Sequence, residues 1–462
     1  MYGKKTVIKT FLQSQLVYSF SVLPSPTQTF FKKVEKLIFK YLWDNKPDRI
    51  KRDVLYSDRQ NGGLSIPNVE YQDCSIKISW VKRLLTKSEN EDNWYKLVKS
   101  QLPPGCLTVF EGNMNESDLK GCGVLSQSKF WQSVLVSWFK MSYNRPENRE
   151  EILNQSLWYN SFIKCKSKVL FYQGWQNAGV NYIKDIVDEN GKFLPYQIFE
   201  QKYGTVTNYV EYYGVTSAIE QEWKSKIRSR QRIAQVGEYC DLNRSRVEWV
   251  RNSNHITQDV YNKLRKTFAH FPSHLVDKWR AELNNGEIDN DFISNSLGKL
   301  YAASISTKIR QFQYRLINRI IVTNVHLYKW RKKENSLCEL CQEEEESYKH
   351  LFADCKHVRP YWEKVCNWIA QKTGLYLQLN RTEILLGTPD YIHPLIDLLY
   401  TIGKMHIYNN RFKNVVPDIK GYTRTVYDIE NMEKYIAKKI MTHRKKWLFA
   451  QERSANALLG NV

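Results

Sequence analysis

The chain has 462 residues, 69 of them Lys or Arg and 48 Asp or Glu, with a net charge of +21 and 42% hydrophobic residues. That length and apolar content build about three domain-sized units and exclude a disordered chain. No stretch approaches the ~18 consecutive apolar residues of a membrane span, and MYGKKTVIKTFLQSQL lacks the apolar block and small-residue cleavage site of a secretory signal.

Cys74, Cys106, Cys122, Cys165 and Cys240 stand far apart, unlike the spacing of a secreted disulfide scaffold, so a reducing compartment is expected, cytoplasmic and/or nuclear. A charge surplus of this size rewards contact with phosphates, which makes nucleic acid the expected partner, with no membrane partner. Nothing in the sequence specifies an oligomeric state.

Taken in chain order, PSPTQTFFKKVEKLIFKYLW predicts a helix with Ser25 as N-cap, Pro26 in the first turn and Gln28 as capping-box partner. Phe30, Phe31, Val34, Leu37, Ile38, Tyr41 and Leu42 make its apolar face. Lys32, Lys33, Lys36 and Lys40 project from the other side as candidate phosphate contacts, although a solvated helix face has the same composition. DNKPDRIKRD reads as a basic turn and NGGLSIPNVE as a tight loop before another helix near Tyr71.

The pattern weakens between about Asn90 and Arg149, and the middle third is aromatic-rich. In DENG, Asn190 and Gly191 mark a turn; a calcium loop is excluded because Ile186 and Gln197 hold its first and last ligand positions. From Leu300 to Ile321 a helix is expected, with Tyr301, Ile305, Ile309, Phe312, Leu316 and Ile320 on one face. Lys308, Arg315 and Arg319 line its edge, either to meet phosphates or to cover apolar surface. A C-terminal stripe of Val426, Ile429, Met432, Ile436, Ile440 and Trp447 faces away from Lys434, Lys438, Lys439, Lys445 and Lys446. HRKKW at 443–447 reads as part of a nuclear signal or as a solvated helix face.

CELCQEEEESYKHLFADC carries Cys338, Cys341, His350 and Cys355, spaced C-x2-C-x8-H-x4-C. The first pair places two thiolates on one ion from a tight turn, and a third thiolate with an imidazole closes a tetrahedral structural zinc site. The alternative is a set of buried free cysteines; His357 and Cys366 are substitute ligands. His350 and Cys355 are five residues apart, more than a quarter-turn on an α-helix, so a bend is expected between them. The acidic run Glu343 to Glu346 is read as a solvated connecting loop. In so small a module the metal supplies on the order of 10 kcal/mol of folding free energy.

The fold class expected is mainly α, a multi-domain helical chain with a small zinc-knuckle module, divided into 1–100, 101–298, 299–375 and 376–462. No Walker loop, nucleotide-binding glycine fingerprint, nucleophile elbow, HExxH or paired catalytic carboxylates occur. FADC at Phe352 differs from a polymerase aspartate box by Cys355. No enzyme is expected from these residues.

The ordered series GKKTVIKTFLQSQLVYSFSVLPSP, FFKKVEKLIFKYLWDNKPDRIKRDVL, NGGLSIPNVE, ISWVKRLL, DENGKFLPYQIFEQKYG, RQFQYRLINRIIVTNVHLYKW, the cysteine knuckle and RTEILLGTPD resembles the C-terminal half of the reverse-transcriptase polyprotein of non-LTR retrotransposons, in the L-one clade of long interspersed elements. The resemblance implies a thumb over 1–100, a helical middle over 101–298, a basic helix plus zinc knuckle over 299–375, and a basic helical segment over 376–462. It also implies that Cys338, Cys341, His350 and Cys355 match the family's knuckle, and that the helix Phe30 to Trp43 faces a template–primer duplex. The family's endonuclease and catalytic palm have no counterpart in the sequence, so the chain resembles a truncated copy or a reading frame opened at an internal methionine.

Two functions follow as expectations. The first is binding of RNA or an RNA·DNA hybrid, mainly through phosphates. The second is a zinc-stabilised helical scaffold for protein–protein interaction, with incidental charge.

Overall fold

The computed structural model describes residues 1–58, 61–87, 93–105, 107–121, 128–204, 208–228, 242–267, 273–389 and 392–439. Helices make up most of them, as expected. Among the described residues, Lys164–Cys165 and Lys168–Val169 form the two-stranded antiparallel sheet, with Lys164 opposite Val169. The chain forms two compact units, each assembled from separate stretches. One comprises Met1–Ile8, Ile38–Ile66 and Phe268–Val462, the other Lys9–Leu37 and Pro67–Thr267.

The second of these units is built around the helix Val69–Thr86. Asn68 starts it by accepting the N–H groups of Glu70 at 3.0 Å and Tyr71 at 3.1 Å, two of the donors that a helix N-terminus leaves open. Buried Cys74, Ile78, Val81, Leu84 and Leu85 pack it against the helices Lys129–Ser142 and Ile256–Thr267.

Aromatic rings complete this core. Trp138, Trp158, Trp175 and Trp223 are fully buried. A buried indole usually finds an acceptor for its N–H; Trp138 donates to the Phe110 carbonyl at 3.0 Å, Trp158 to Val180 at 2.9 Å and Trp175 to the Glu211 carboxylate at 3.1 Å, whereas the Trp223 N–H has none among the described residues. The DENG turn is present, with Asp188 Oδ1 accepting the N–H groups of Asn190 and Lys192 at 2.9 and 2.8 Å. Gly191 sits there at φ +73, where an added Cβ would come within 2.4 Å of the Ile227 carbonyl oxygen.

The lysine-bearing helix spans Gln28–Leu42. It starts later than the sequence suggests: the Phe31 N–H bonds the Thr27 carbonyl at 3.4 Å, so Thr27 holds the cap position expected of Ser25. Its buried stripe is Phe31, Ile38, Phe39 and Leu42, whereas Leu37 (65% exposed) and Tyr41 (45%) lie outside it. At 100° per residue the centre of that stripe lies nearer Phe39 than Leu37, which the i, i+3, i+4 reading did not resolve.

The first unit centres on the helix Pro394–Arg411, whose buried Ile396, Leu399, Tyr400, Ile402 and Ile407 pack against the helices Asn290–Ala303, Thr307–Ile317 and Ile419–Lys439. A Cβ at Gly403 would lie 2.5 Å from the Trp362 ring, so glycine permits that close approach. The single helix expected over 300–321 is two helices, broken at 304–306. Glu433 explains the break: its buried Oε1 accepts from the Ser304 hydroxyl at 2.6 Å and from the Ile305 N–H at 3.1 Å, a backbone donor that a continuous helix would bond internally. Glu433 therefore faces inward from the helix Ile419–Lys439, and Met432, expected to, is exposed.

Candidate metal centre

The segment 336–355 folds as a turn, a bridge and one wide helical turn. Leu337 and Glu345 form an isolated antiparallel bridge, flanked by the Cys338 N–H bonding the Glu344 carbonyl and the Glu346 N–H bonding the Ser336 carbonyl, both at 2.8 Å. Within that loop the Gln342 N–H closes on the Cys338 carbonyl at 2.9 Å, holding Cys338 and Cys341 on one tight turn. His350–Asp354 is a π-turn in which the Cys355 N–H reaches back five residues to the His350 carbonyl at 2.9 Å. The expected bend is thus a widened helical turn, which keeps His350 and Cys355 on the same side where an α-helix would separate them. Trp362 braces it, donating its indole N–H to the Phe352 carbonyl at 2.7 Å.

One ligand atom from each of Cys338, Cys341, His350 and Cys355 falls within 4.8 Å of all the others. Cys338 Sγ and Cys355 Sγ are 4.0 Å apart, and Cys341 Sγ is 3.3 Å from His350 Nε2. Tetrahedral zinc with Zn–S bonds of about 2.3 Å places two sulfurs about 3.8 Å apart, so the cluster fits the ion. Three soft thiols and an imidazole fill all four positions, as in a structural site. Cys338, His350 and Cys355 are buried and Cys341 half-buried. His357 and Cys366 stand outside the cluster; burial in the helix Arg359–Thr373 pushes the Cys366 thiol up to about 11.

Without metal the cluster shares protons. The hydrogen bond to Cys355, with burial, pushes Cys338 up to about 12, while the same bond lowers Cys355. Burial opposes the His350 cation, but the sulfurs of Cys338 and Cys341 outweigh it and lift His350 to about 9. Zinc binding displaces these protons.

The acidic run is exposed at Glu343, Glu344 and Glu345, as a solvated loop would be, although each has a partner; Glu346 is the exception. Glu343 pairs with Lys356. Glu344 Oε2 lies 3.1 Å from His350 Nδ1, so an N–H there points at the carboxylate and leaves Nε2 free to bind metal. Glu345 accepts from the Ser336 hydroxyl at 2.8 Å. Glu346 is fully buried, which a carboxylate tolerates only when paired and hydrogen-bonded. It bridges Arg411 at 2.9 Å (Nε) and 2.5 Å (Nη2), and accepts the N–H groups of Asn324 at 2.8 Å and Glu339 at 3.2 Å. This network bolts the knuckle to the helix Pro394–Arg411. No periodicity in the sequence marks Glu346 or Arg411, since the pair is 65 residues apart.

The basic candidates differ among themselves. Lys32, Lys33, Lys36 and Lys40 are all exposed on one arc of their helix of about 100°; Lys32 borders the buried stripe and the other three face away from it. Lys308 is exposed in the first turn of Thr307–Ile317, and Arg315 is half-buried. Arg319 is engaged in the fold: it pairs with Glu282 and its guanidinium lies 4.6 Å from the Trp279 ring centroid and 4.8 Å from that of Tyr348. It covers aromatic surface, the second of the two roles the sequence allowed. Lys438 and Lys439 end the helix Ile419–Lys439, while Lys445 and Lys446, with Ile440 and Trp447, lie outside the described residues. No helix among the described residues is long and apolar enough to cross a membrane.

Comparison with known proteins places this geometry. Residues 282–362 match the family described as zinc-binding in reverse transcriptase. The chain is also similar to the uncharacterized 149 kDa protein of transposon TX1 from Xenopus laevis, at 24% identity over 221 residues, 46% of this chain and 16% of that protein. The matched stretch is thus a small part of that relative's length. The region around the metal centre is a zinc-binding segment related to those of retrotransposon reverse transcriptases.

Proposed function

We propose that this chain is the nucleic-acid-binding portion of a non-LTR retrotransposon reverse transcriptase of the L-one-like clade, with a thumb-like helix at 28–42 and a structural Zn2+ centre. Its partner is RNA or an RNA·DNA hybrid, its role is binding rather than catalysis, and its location is cytoplasmic and/or nuclear. The observation that carries the reading is the side of the helix Gln28–Leu42 on which four lysines are exposed together, in a chain of net charge +21 that also carries the reverse-transcriptase-related zinc segment.

Lysines in this arrangement act as point charges on phosphate and read no bases. Zinc contributes rigidity: it holds the knuckle, and Glu346 and Arg411 tie the knuckle to the core of its unit. Lys308 and Arg315 and the basic end at Lys438, Lys439, Lys445 and Lys446 are proposed as further phosphate contacts.

The test is the affinity of the purified, zinc-loaded chain for a structured RNA across a range of salt. Counterion release requires log affinity to fall linearly with log salt, by roughly 0.7 to 0.9 per phosphate neutralised. A flat dependence, or no binding at low salt, supports the scaffold function instead.

A further inference from the structure

The helix Asn324–Lys329 runs into the turn Tyr-Lys-Trp-Arg-Lys-Lys-Glu at 328–334, just ahead of the knuckle. Its backbone is fixed by bonds from the Trp330 N–H to the His326 carbonyl (3.0 Å), Arg331 to Tyr328 (2.8 Å) and Lys332 to Leu327 (2.8 Å). Lys333 pairs with Glu339, which lies between the first two zinc ligands. The turn surrounds an open recess of about 580 Å³ lined by Tyr328, Lys329, Arg331, Lys332, Lys333 and Glu334. Lys329, Arg331 and Lys332 are exposed. Tyr328 is 52% exposed and the adjacent Trp330 51%.

Cations at a helix C-terminus are favoured by its dipole, which accounts for Lys329. That effect fades beyond the last turn, where Arg331 and Lys332 stand, and it gives no reason to leave two large rings half exposed, that of Trp330 with its centroid 5.9 Å from the His326 ring. We propose that the turn 328–333 is a subsite for single-stranded RNA, with bases stacked on Tyr328 and Trp330 and phosphates on Lys329, Arg331 and Lys332. Planar rings at a surface reach base faces only in an unpaired strand, because an A-form duplex keeps those faces stacked inside. The inference rests on the nucleic-acid reading above and narrows it to an unpaired segment beside the metal centre.

The test uses the full zinc-loaded chain, a 12-nucleotide oligouridine and a duplex RNA hairpin. The double variant Tyr328→Ala/Trp330→Ala is expected to bind oligouridine at least about tenfold more weakly, since stacking contributes roughly 1–3 kcal/mol per base, with hairpin affinity and zinc content unchanged. Lys329→Gln/Arg331→Gln/Lys332→Gln is expected to lower the oligouridine salt slope by about 2, from roughly 0.7 per phosphate contact. Wild-type affinity for oligouridine in both variants overturns the subsite while leaving the nucleic-acid function standing. Failure of the unaltered chain to bind either RNA overturns both. Tighter capture by phosphatidylserine vesicles than by oligouridine overturns the assignment to RNA.

Discussion

The unit formed by Lys9–Leu37 and Pro67–Thr267 and the zinc segment of the other unit solve the same problem by different physics. The former packs helices against one central helix and fills its core with buried tryptophans, each large ring removing about 150–250 Å² from water. The latter has a bridge and a π-turn, buries Tyr348, Leu351 and Phe352 in the core of its unit, and adds to that burial four metal ligands and a buried ion pair. Ring packing tolerates gradual loss, whereas a closed ligand set and a paired buried charge fail together when one member goes.

The largest expected effect follows from removing the metal. Cys338→Ser/Cys341→Ser is expected to take zinc from one per chain to none by elemental analysis and to forfeit on the order of 10 kcal/mol of local folding free energy. Hydrogen exchange should then open 336–355 while 69–86 stays protected. Full zinc retention in that variant contradicts the ligand assignment.

Next come two substitutions of similar size but different reach. Glu346→Gln leaves Arg411 buried without its counter-charge and is expected to cost about 3–5 kcal/mol; Trp158→Ala opens a cavity at a cost of about 3–5 kcal/mol. Only the former should loosen the zinc segment, as measured by the rate of zinc transfer to a chelator. Equal zinc transfer from both variants would erase the contrast between the regions.

Lys404 gives a pH signature to the metal-bearing unit. It is fully buried, donating to Gln313 Oε1 at 2.7 Å and the Leu385 carbonyl at 3.1 Å, and burial pulls it down to about 7. Unfolded, it keeps its proton to above pH 10, so between about 7 and 10 the unfolded state binds more protons and stability rises with pH. The rise expected between pH 7 and 9 is on the order of 2 kcal/mol by denaturant titration. Lys404→Met should flatten it; an unchanged slope in that variant would assign the rise to other groups.

Smaller still is the effect of Glu344→Gln, which weakens the hold on the His350 imidazole without removing a ligand. Zinc affinity is expected to fall about 10- to 100-fold, with stoichiometry intact at saturating metal. Unaltered affinity would reduce Glu344 to a surface carboxylate.

The sequence made the helices, the DENG turn and the ligand set legible because each has a short-range signature: periodicity, a turn residue pair, or a fixed cysteine spacing. It misplaced what depends on distant partners. The break at 304–306 needs Glu433, more than a hundred residues on. The burial of Glu346 needs Arg411, 65 residues away. The π-turn at His350 is a local feature, yet a five-residue spacing reads as a bend until the i to i+5 hydrogen bond is seen. Discontinuous units such as Lys9–Leu37 with Pro67–Thr267 leave no mark in a left-to-right reading.

The central claim, a phosphate grip on the exposed lysine side of the helix Gln28–Leu42, is tested most directly by the salt dependence of RNA binding in Lys32→Gln/Lys33→Gln/Lys36→Gln/Lys40→Gln. The buried stripe of that helix is untouched, so helicity and zinc content should match the unaltered chain. If the four lysines meet phosphates, the slope of log affinity against log salt drops by roughly 3 and all RNA sequences weaken about equally. An unaltered slope in the folded variant would contradict the grip.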